Sequence, residues 1–105
     1  MSQPDPILAR FRNALNDLYG DRIERVVLYG SRARGDARPD SDYDVALFLS
    51  DVTNRWQELR KIVDLEQVIA EDTGLDIHTM PFPAGAWRDT ASPVMTEIRR
   101  DGIDL

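Results

Sequence analysis

Two aspartates separated by one residue, Asp42 and Asp44, follow a Gly-Ser pair at residues 30 and 31. Because side chains alternate along an extended chain, we expect both carboxylates on the same face of a strand that begins near residue 43. Two ionised carboxylates this close repel each other unless a cation lies between them. Mg²⁺ prefers oxygen ligands and keeps coordination positions open for phosphates. The pair therefore predicts a magnesium site at Asp42 and Asp44.

The Gly-Ser pair predicts a phosphate-binding corner. Gly30 follows an apolar run, and a residue without a Cβ lets a ligand approach the backbone closely. Ser31 adds a hydroxyl at the start of a predicted helical turn over residues 31–34, and Arg32 and Arg34 add cations suited to phosphate. Gly-Ser and Asp-x-Asp are each common in isolation. Their combination predicts phosphoryl or nucleotidyl transfer from a nucleotide–Mg²⁺ complex.

A third carboxylate, Asp76, interrupts the otherwise apolar segment LDIHTM, where a charge needs a partner. If this strand lies beside the strand at residues 43–49, Asp76 reaches the same metal, as a ligand or as the general base on an acceptor hydroxyl. The alternative is an ion pair in the core. His78 shares the face of Asp76, but a lone histidine is usually structural, and we predict no metal role for it.

Capping residues and periodicity predict the elements that position these residues, in the order α-β-β-α-β-α. The strand at residues 43–49 is apolar on both faces, which predicts a central strand, and an apolar stripe that includes Trp56 and Val63 predicts the buried face of the second long helix. The expected elements are a helix from Pro6 to Gly20, strands at 22–29, 43–49 and 75–80, helices at 54–72 and 93–101, a loop at Pro81–Gly85, and a frayed end or short edge strand at 103–105. The predicted fold is a small α/β domain with helices packed on a mixed sheet.

Composition limits the class of protein. With 105 residues, 42% of them apolar, the sequence predicts one domain over residues 1–105. A net charge of −6 argues against a nucleic-acid-coating role, because that role requires excess Lys and Arg. The sequence has no cysteine, no apolar run of membrane-spanning length and no signal-peptide pattern, so we expect a cytoplasmic protein with no membrane contact.

Competing motifs fail at specific residues. A Walker A loop requires Lys-Ser or Lys-Thr after Gly35, where Asp36-Ala37 stands, and no G-x-G-x-x-G is present. An EF-hand loop that starts at Asp40 would have Val45 at the position that requires glycine. These three nucleotide-binding and calcium-binding motifs are excluded.

The spacing Gly30-Ser31, ten residues, Asp42-Tyr43-Asp44 resembles the signature of nucleotidyltransferases of the DNA polymerase β superfamily. More narrowly, GSRARGDARPDSDYD resembles the minimal MNT type, whose members are commonly paired with HEPN-domain ribonuclease toxins and act as antitoxins. The resemblance covers about residues 25–80. It implies a polymerase β-like core, triphosphate contacts at Gly30 and Ser31, Mg²⁺ at Asp42 and Asp44, and Asp76 as the third carboxylate.

The same resemblance implies transfer of AMP from ATP onto a tyrosine hydroxyl of the toxin, as the antitoxin of a type VII-like toxin–antitoxin pair. A non-catalytic antitoxin that covers its toxin by stoichiometric binding is the main alternative, because an acidic surface suits a basic ribonuclease groove. Transfer to a small molecule, as in the similar aminoglycoside nucleotidyltransferases, would require acceptor-binding structure for which 105 residues leave little room.

Overall fold

Capping side chains begin each long helix at the predicted residue. The structure is a computed structural model that describes residues 5–105, so the first four residues of the predicted domain lie outside it. Asp5 accepts hydrogen bonds from the Ile7 and Leu8 amides, and Asn54 and Ser92 cap the later helices in the same way. The elements are α1 Pro6–Tyr19, β1 Ile23–Tyr29, α2 Ser31–Arg34, β2 Tyr43–Leu49, α3 Arg55–Thr73, β3 Ile77–Pro83, α4 Pro93–Asp101 and β4 Ile103–Asp104, with 3-10 turns at Gly20–Arg22 and Ala84–Arg88.

The four strands form one mixed sheet in the order β3-β2-β1-β4. β1 pairs antiparallel with β2 and β4, whereas β2 and β3 are parallel. The last residues are thus a short edge strand rather than a frayed end. Both faces of β2 are covered, as predicted for a central strand. The core on one face contains Phe11, Leu15, Val45, Leu47 and Ile62, and the core on the other contains Val27, Ala46, Phe48, Met95 and Ile98.

Strand β3 continues through Pro81 and Pro83, so the loop predicted there is wrong. β3 is an edge strand, and proline is tolerated on the outer side of an edge because no partner strand needs its missing N–H. Two other outward backbone groups have side-chain partners. Glu66 Oε2 accepts from the Thr79 amide at 2.8 Å, and Arg55 Nε donates to the Pro81 carbonyl at 3.0 Å. Glu66 interrupts the apolar stripe of α3, and its carboxylate satisfies an outward amide of the edge strand.

The predicted buried face of α3 is wrong at two positions. Trp56 is 72% exposed and Val63 is 48% exposed, because the sheet covers only the side of the helix that carries Ile62 and Ile69. Trp87 instead packs edge-on against Phe48, with ring centroids 5.5 Å apart, and so covers the sheet. Within residues 5–105, no helix combines the length and apolarity that a membrane span needs.

Candidate active site

The parallel pairing of β2 and β3 gathers the predicted site residues on one face of the sheet. Asp44 is paired in register with His78, and the neighbouring pair is Tyr43 with Ile77. Because side chains alternate, Asp42, Asp44, Asp76 and His78 all point to the same side. The Tyr43 amide donates to the Asp76 carbonyl at 2.9 Å, which holds the start of β3 level with the start of β2. The strand adjacency on which the Asp76 prediction depended is therefore confirmed.

Three of these residues form a compact group of possible metal ligands. One ligand atom each from Asp42, Asp76 and His78 lies within 4.8 Å of the other two. His78 Nε2 and Asp42 Oδ2 are 3.0 Å apart. All three residues are exposed, so an ion and a phosphate can reach them from solvent.

Asp44 lies beside this group, against the glycine corner. A Cβ placed on Gly30 would be 2.4 Å from Asp44 Oδ2, which is far inside van der Waals contact. Gly30 also has φ 74° and ψ −157°, a backbone conformation essentially restricted to glycine. The residue at the predicted corner is therefore glycine for two reasons, its backbone conformation and the carboxylate that occupies the space of a side chain.

The environment of Asp44 raises the pKa of its carboxyl group. Burial raises the pKa of Asp44, and the negative charges of Asp42 and Glu97 raise it further, whereas His78 and Arg34 lower it. Glu97 belongs to α4, and its carboxylate pairs with the Arg34 guanidinium at 3.2 Å. A divalent cation would stabilise the ionised carboxylate that the protein alone disfavours.

Arg32, predicted to bind nucleotide, is engaged by the loop that precedes β2. Its Nη2 donates to the carbonyls of Ser41 at 2.6 Å and of Pro39 at 3.1 Å. The guanidinium carbon also lies 4.0 Å from the centroid of the Tyr43 ring. Arg32 therefore fixes the loop that delivers Asp42 to the site.

Tyr43 points away from the carboxylates, as predicted, and is 2% exposed. Its hydroxyl donates to Asp5 Oδ2 at 2.6 Å, so the residue that caps α1 also anchors the start of β2. Burial, together with the bond to Asp5, raises the pKa of Tyr43 to about 12, which keeps this donor protonated. Tyr43 thus has a positioning role between Asp42 and Asp44.

The sequence prediction placed His78 on the site face, two residues after Asp76, but missed two other residues there. His78, for which no metal role is predicted, lies in the group of possible metal ligands with Asp42 and Asp76. Tyr29, opposite Asp44 on β1, has its pKa raised by burial and then by the charges of Asp44 and Glu97. No local pattern indicated Tyr29 or Glu97, because the packing of β1 and α4 brings them to Asp44.

Comparison with known sequences identifies the domain type. The family described as "Nucleotidyltransferase domain" matches residues 8–100. A protein of Methanocaldococcus jannaschii, MJ0141, whose name proposes a protein adenylyltransferase, is 32% identical over 59 residues, which are 56% of this chain. The match spans 59% of that relative's length.

Solved structures share the fold at low sequence identity. A crystal structure of a toxin–antitoxin pair with AMP-PNP has a TM-score of 0.58 and 21% identity, covering 90% of this chain and 68% of that one. The Shewanella oneidensis structure of a tri-AMPylated HEPN toxin with its MNT antitoxin has a TM-score of 0.50 and 16% identity, covering 93% and 70%. The predicted mixed-sheet α/β architecture is confirmed by these similarities.

Proposed function

This chain belongs to the nucleotidyltransferase domain family, and we propose that it is a Mg²⁺-dependent enzyme that transfers AMP from ATP to a protein hydroxyl. One observation carries the proposal. The glycine corner at Gly30 and the carboxylates of Asp42, Asp44 and Asp76 meet at one end of the sheet, with Asp44 in contact with the corner. The relative named for protein adenylyltransfer supports AMP as the group transferred.

The donor set fits a hard divalent cation. Asp42, Asp44 and Asp76 supply carboxylate oxygens on one face, and oxygen is the ligand type that Mg²⁺ prefers. When bound, the ion neutralises these carboxylates and the charge of the triphosphate. For Asp44 this neutralisation opposes the effect of burial, which raises its pKa. The three aspartates are therefore the proposed metal ligands and catalytic carboxylates.

The corner is the proposed triphosphate site. Asp44 fills the space beside Gly30, and Ser31 brings to the corner a hydroxyl and an N-terminal amide, which a helix leaves without an intrahelical acceptor. Arg32 contributes by holding the loop of residues 35–41 through its carbonyl contacts. Its predicted direct contact with the nucleotide remains a prediction, since the guanidinium would have to exchange a loop carbonyl for a phosphate oxygen.

The proposed reaction is a displacement at the α-phosphorus of ATP. The oxygen of the acceptor hydroxyl forms the new O–P bond, the bond from the α-phosphorus to the bridging oxygen breaks, and pyrophosphate leaves. A carboxylate oxygen of Asp76 accepts the proton of the hydroxyl. Most of the rate acceleration then comes from positioning and charge neutralisation, as in phosphoryl transfer generally.

The proposed acceptor is a tyrosine of a HEPN-domain toxin, which this chain would silence as the antitoxin of a type VII-like pair in the cytoplasm. Two observations support this partner. A structural neighbour is an MNT antitoxin with a tri-AMPylated HEPN toxin, and another neighbour is a toxin–antitoxin pair with AMP-PNP. The net charge of −6 suits contact with a basic ribonuclease.

The test uses the purified chain with ATP, Mg²⁺ and the product of the neighbouring gene. We expect the intact mass of that product to rise by whole AMP units. The Asp42→Ala/Asp44→Ala double variant should lose more than about a hundredfold of the rate, since loss of a group that supports a metal ligand alone costs about 10–100-fold. Asp40→Asn changes an exposed carboxylate of the same loop and should transfer AMP normally.

Two results would contradict the proposal. If the wild type leaves the mass of the partner unchanged, the enzyme assignment fails. If the double variant neutralises the toxin as well as the wild type does, the chain acts by stoichiometric binding.

A further inference from the structure

His78 is the only histidine of the chain and lies beside the proposed metal ligands. Its Nε2 is 3.0 Å from Asp42 Oδ2, and its ring nitrogen completes the group with Asp76 in which ligand atoms lie within 4.8 Å. The register of β2 and β3 sets this placement, because it pairs His78 with Asp44 and brings the neighbouring Asp76 level with Asp42. The pairing of β2 with β3 therefore fixes the position of His78 in the site.

A structural role for this side chain has little physical support. The side chains of His78 and Asp42 are 61% and 50% exposed, and even a fully charged pair this exposed would stabilise a fold by only about 0–1 kcal/mol. His78 also lies outside both hydrophobic cores. Together with Asp76, the Asp42 carboxylate and the His78 imidazole instead form an exposed set of possible metal ligands. The set offers both oxygen and nitrogen atoms.

We propose that His78 is a ligand of the metal site formed with Asp42 and Asp76 and that it shifts the preference of the site from Mg²⁺ toward Mn²⁺. Imidazole binds transition-metal ions, whereas Mg²⁺ takes oxygen ligands almost exclusively. A neutral imidazole also adds a ligand without adding to the negative charge of the aspartates. The proposal rests on the proposed function in one respect, namely that a divalent ion binds at these carboxylates.

Pulsed electron paramagnetic resonance of bound Mn²⁺ tests the ligand directly. The sample is the tag-free full chain with Mn²⁺ alone, in a buffer without imidazole and without nucleotide. Since His78 is the only histidine, a ¹⁴N coupling of imidazole type from directly bound Mn²⁺ can be assigned to it. We expect this coupling in the wild type and its loss in His78→Asn. Bound Mn²⁺ without the coupling, or no binding of Mn²⁺ at all, overturns the proposal.

Affinity measurements test the change in preference. His78→Asn offers an amide oxygen in place of the ring nitrogen, so the ratio of Mg²⁺ to Mn²⁺ dissociation constants should fall by about tenfold. An unchanged ratio would contradict the proposal. Asp40→Asn is the matched control and should retain both the ratio and the ¹⁴N coupling, because Asp40 lies outside the ligand group.

The assay for AMP transfer separates this proposal from the proposed function. A wild type that transfers AMP but shows no ¹⁴N coupling disproves only the role of His78. A wild type that shows the coupling but transfers AMP to no partner disproves only the proposed function.

Discussion

At the scale of single residues, the contact between Gly30 and Asp44 connects the two halves of the site. Asp44 Oδ2 occupies the position where a Cβ on residue 30 would lie, so the corner and the carboxylate fit only while residue 30 is glycine. The proposed phosphate-binding corner and the strand that carries the proposed metal ligand Asp44 are therefore mechanically coupled. A substitution of Gly30 should therefore change the position of the Asp44 carboxylate.

We expect Gly30→Ala to lower the free energy of unfolding by about 1–3 kcal/mol, since its backbone conformation is essentially restricted to glycine. The new methyl group should also displace Asp44 and reduce AMP transfer by at least about tenfold, as a shift of catalytic groups by about 1 Å can cost a hundredfold. Urea unfolding and the mass-shift assay measure the two effects.

Gly74→Ala is the matched control for this prediction. Gly74 has the same φ of 74°, but no atom lies within 4 Å of a Cβ built there. Because alanine is strained in this left-handed backbone conformation, Gly74→Ala should lower the free energy of unfolding by about 1–2 kcal/mol. It should leave the rate of AMP transfer unchanged. If Gly30→Ala transferred AMP at the rate of the control, the coupling of the corner to Asp44 would be disproved.

At the scale of the elements, the outer edge of β3 depends on α3. Glu66 accepts from the Thr79 amide, Arg55 donates to the Pro81 carbonyl, and Pro81 and Pro83 have no N–H to satisfy. These contacts and the two prolines disfavour pairing of this part of the edge with another chain. The helix stabilises the strand that presents Asp76 and His78.

Glu66→Ala should lower the free energy of unfolding by about 1–3 kcal/mol, because it leaves the amide of Thr79, a residue only 4% exposed, without its acceptor. Glu66→Gln keeps an acceptor oxygen and should lose much less. The adjacent Gln67→Ala, at an exposed position, should stay within about 0.5 kcal/mol of the wild type in the same urea titration. Equal losses in all three variants would rule out a specific role for the Glu66 bond.

The same residue predicts a dependence of stability on pH. Burial raises the pKa of Glu66 above its ordinary value of 4.5, while the bond that Glu66 accepts from the Thr79 amide opposes the shift. The folded state therefore holds the proton more tightly, and this contribution to stability is lost as the pH rises from 4.5 through the raised value. Glu66→Gln lacks this loss, so its stability relative to the wild type should increase between about pH 4 and pH 7. A constant difference between the two proteins would contradict the prediction.

At the scale of the whole molecule, one sheet with covered faces presents its acidic site at a single end. The chain has a net charge of −6, and the starts of β2 and β3 concentrate four site residues there. The unfolded chain has no such cluster, because the proposed ligands at the start of β2 and those at the start of β3 are more than thirty residues apart along the sequence. Metal binding should therefore be linked to folding of the entire domain.

A divalent ion should accordingly raise the free energy of unfolding. At a hundredfold excess of Mn²⁺ over its dissociation constant, binding to the folded state alone contributes about 2.7 kcal/mol. Thermal unfolding with and without Mn²⁺ measures the change, and a chelator should reverse it. The Asp42→Ala/Asp44→Ala variant should show no gain. An equal gain in that variant would locate the stabilising ion elsewhere.

Most of the element pattern was predictable because its signals are local. The caps at Asp5, Asn54 and Ser92 act on amides within three residues, and the apolar run at residues 43–49 is typical of a strand covered on both faces. The spacing of Gly30, Ser31, Asp42 and Asp44 is equally local, because alternation along β2 sets the direction of both carboxylates. From local chemistry alone, the sequence specified where elements begin and which residues form the corner and the acidic pair.

Long-range packing determined the remainder of the site and the fold. The parallel register of β3 beside β2 brings His78 to Asp42, although these residues are far apart in the sequence. The docking of α4 likewise brings the charge of Glu97 near enough to raise the pKa of Asp44. The edge position of β3 allows a strand through Pro81 and Pro83, and the partial cover of α3 leaves Trp56 exposed. These features depend on which elements pack against each other. The hydrophobic pattern of a segment does not identify its packing partner, so these features could not be predicted from it.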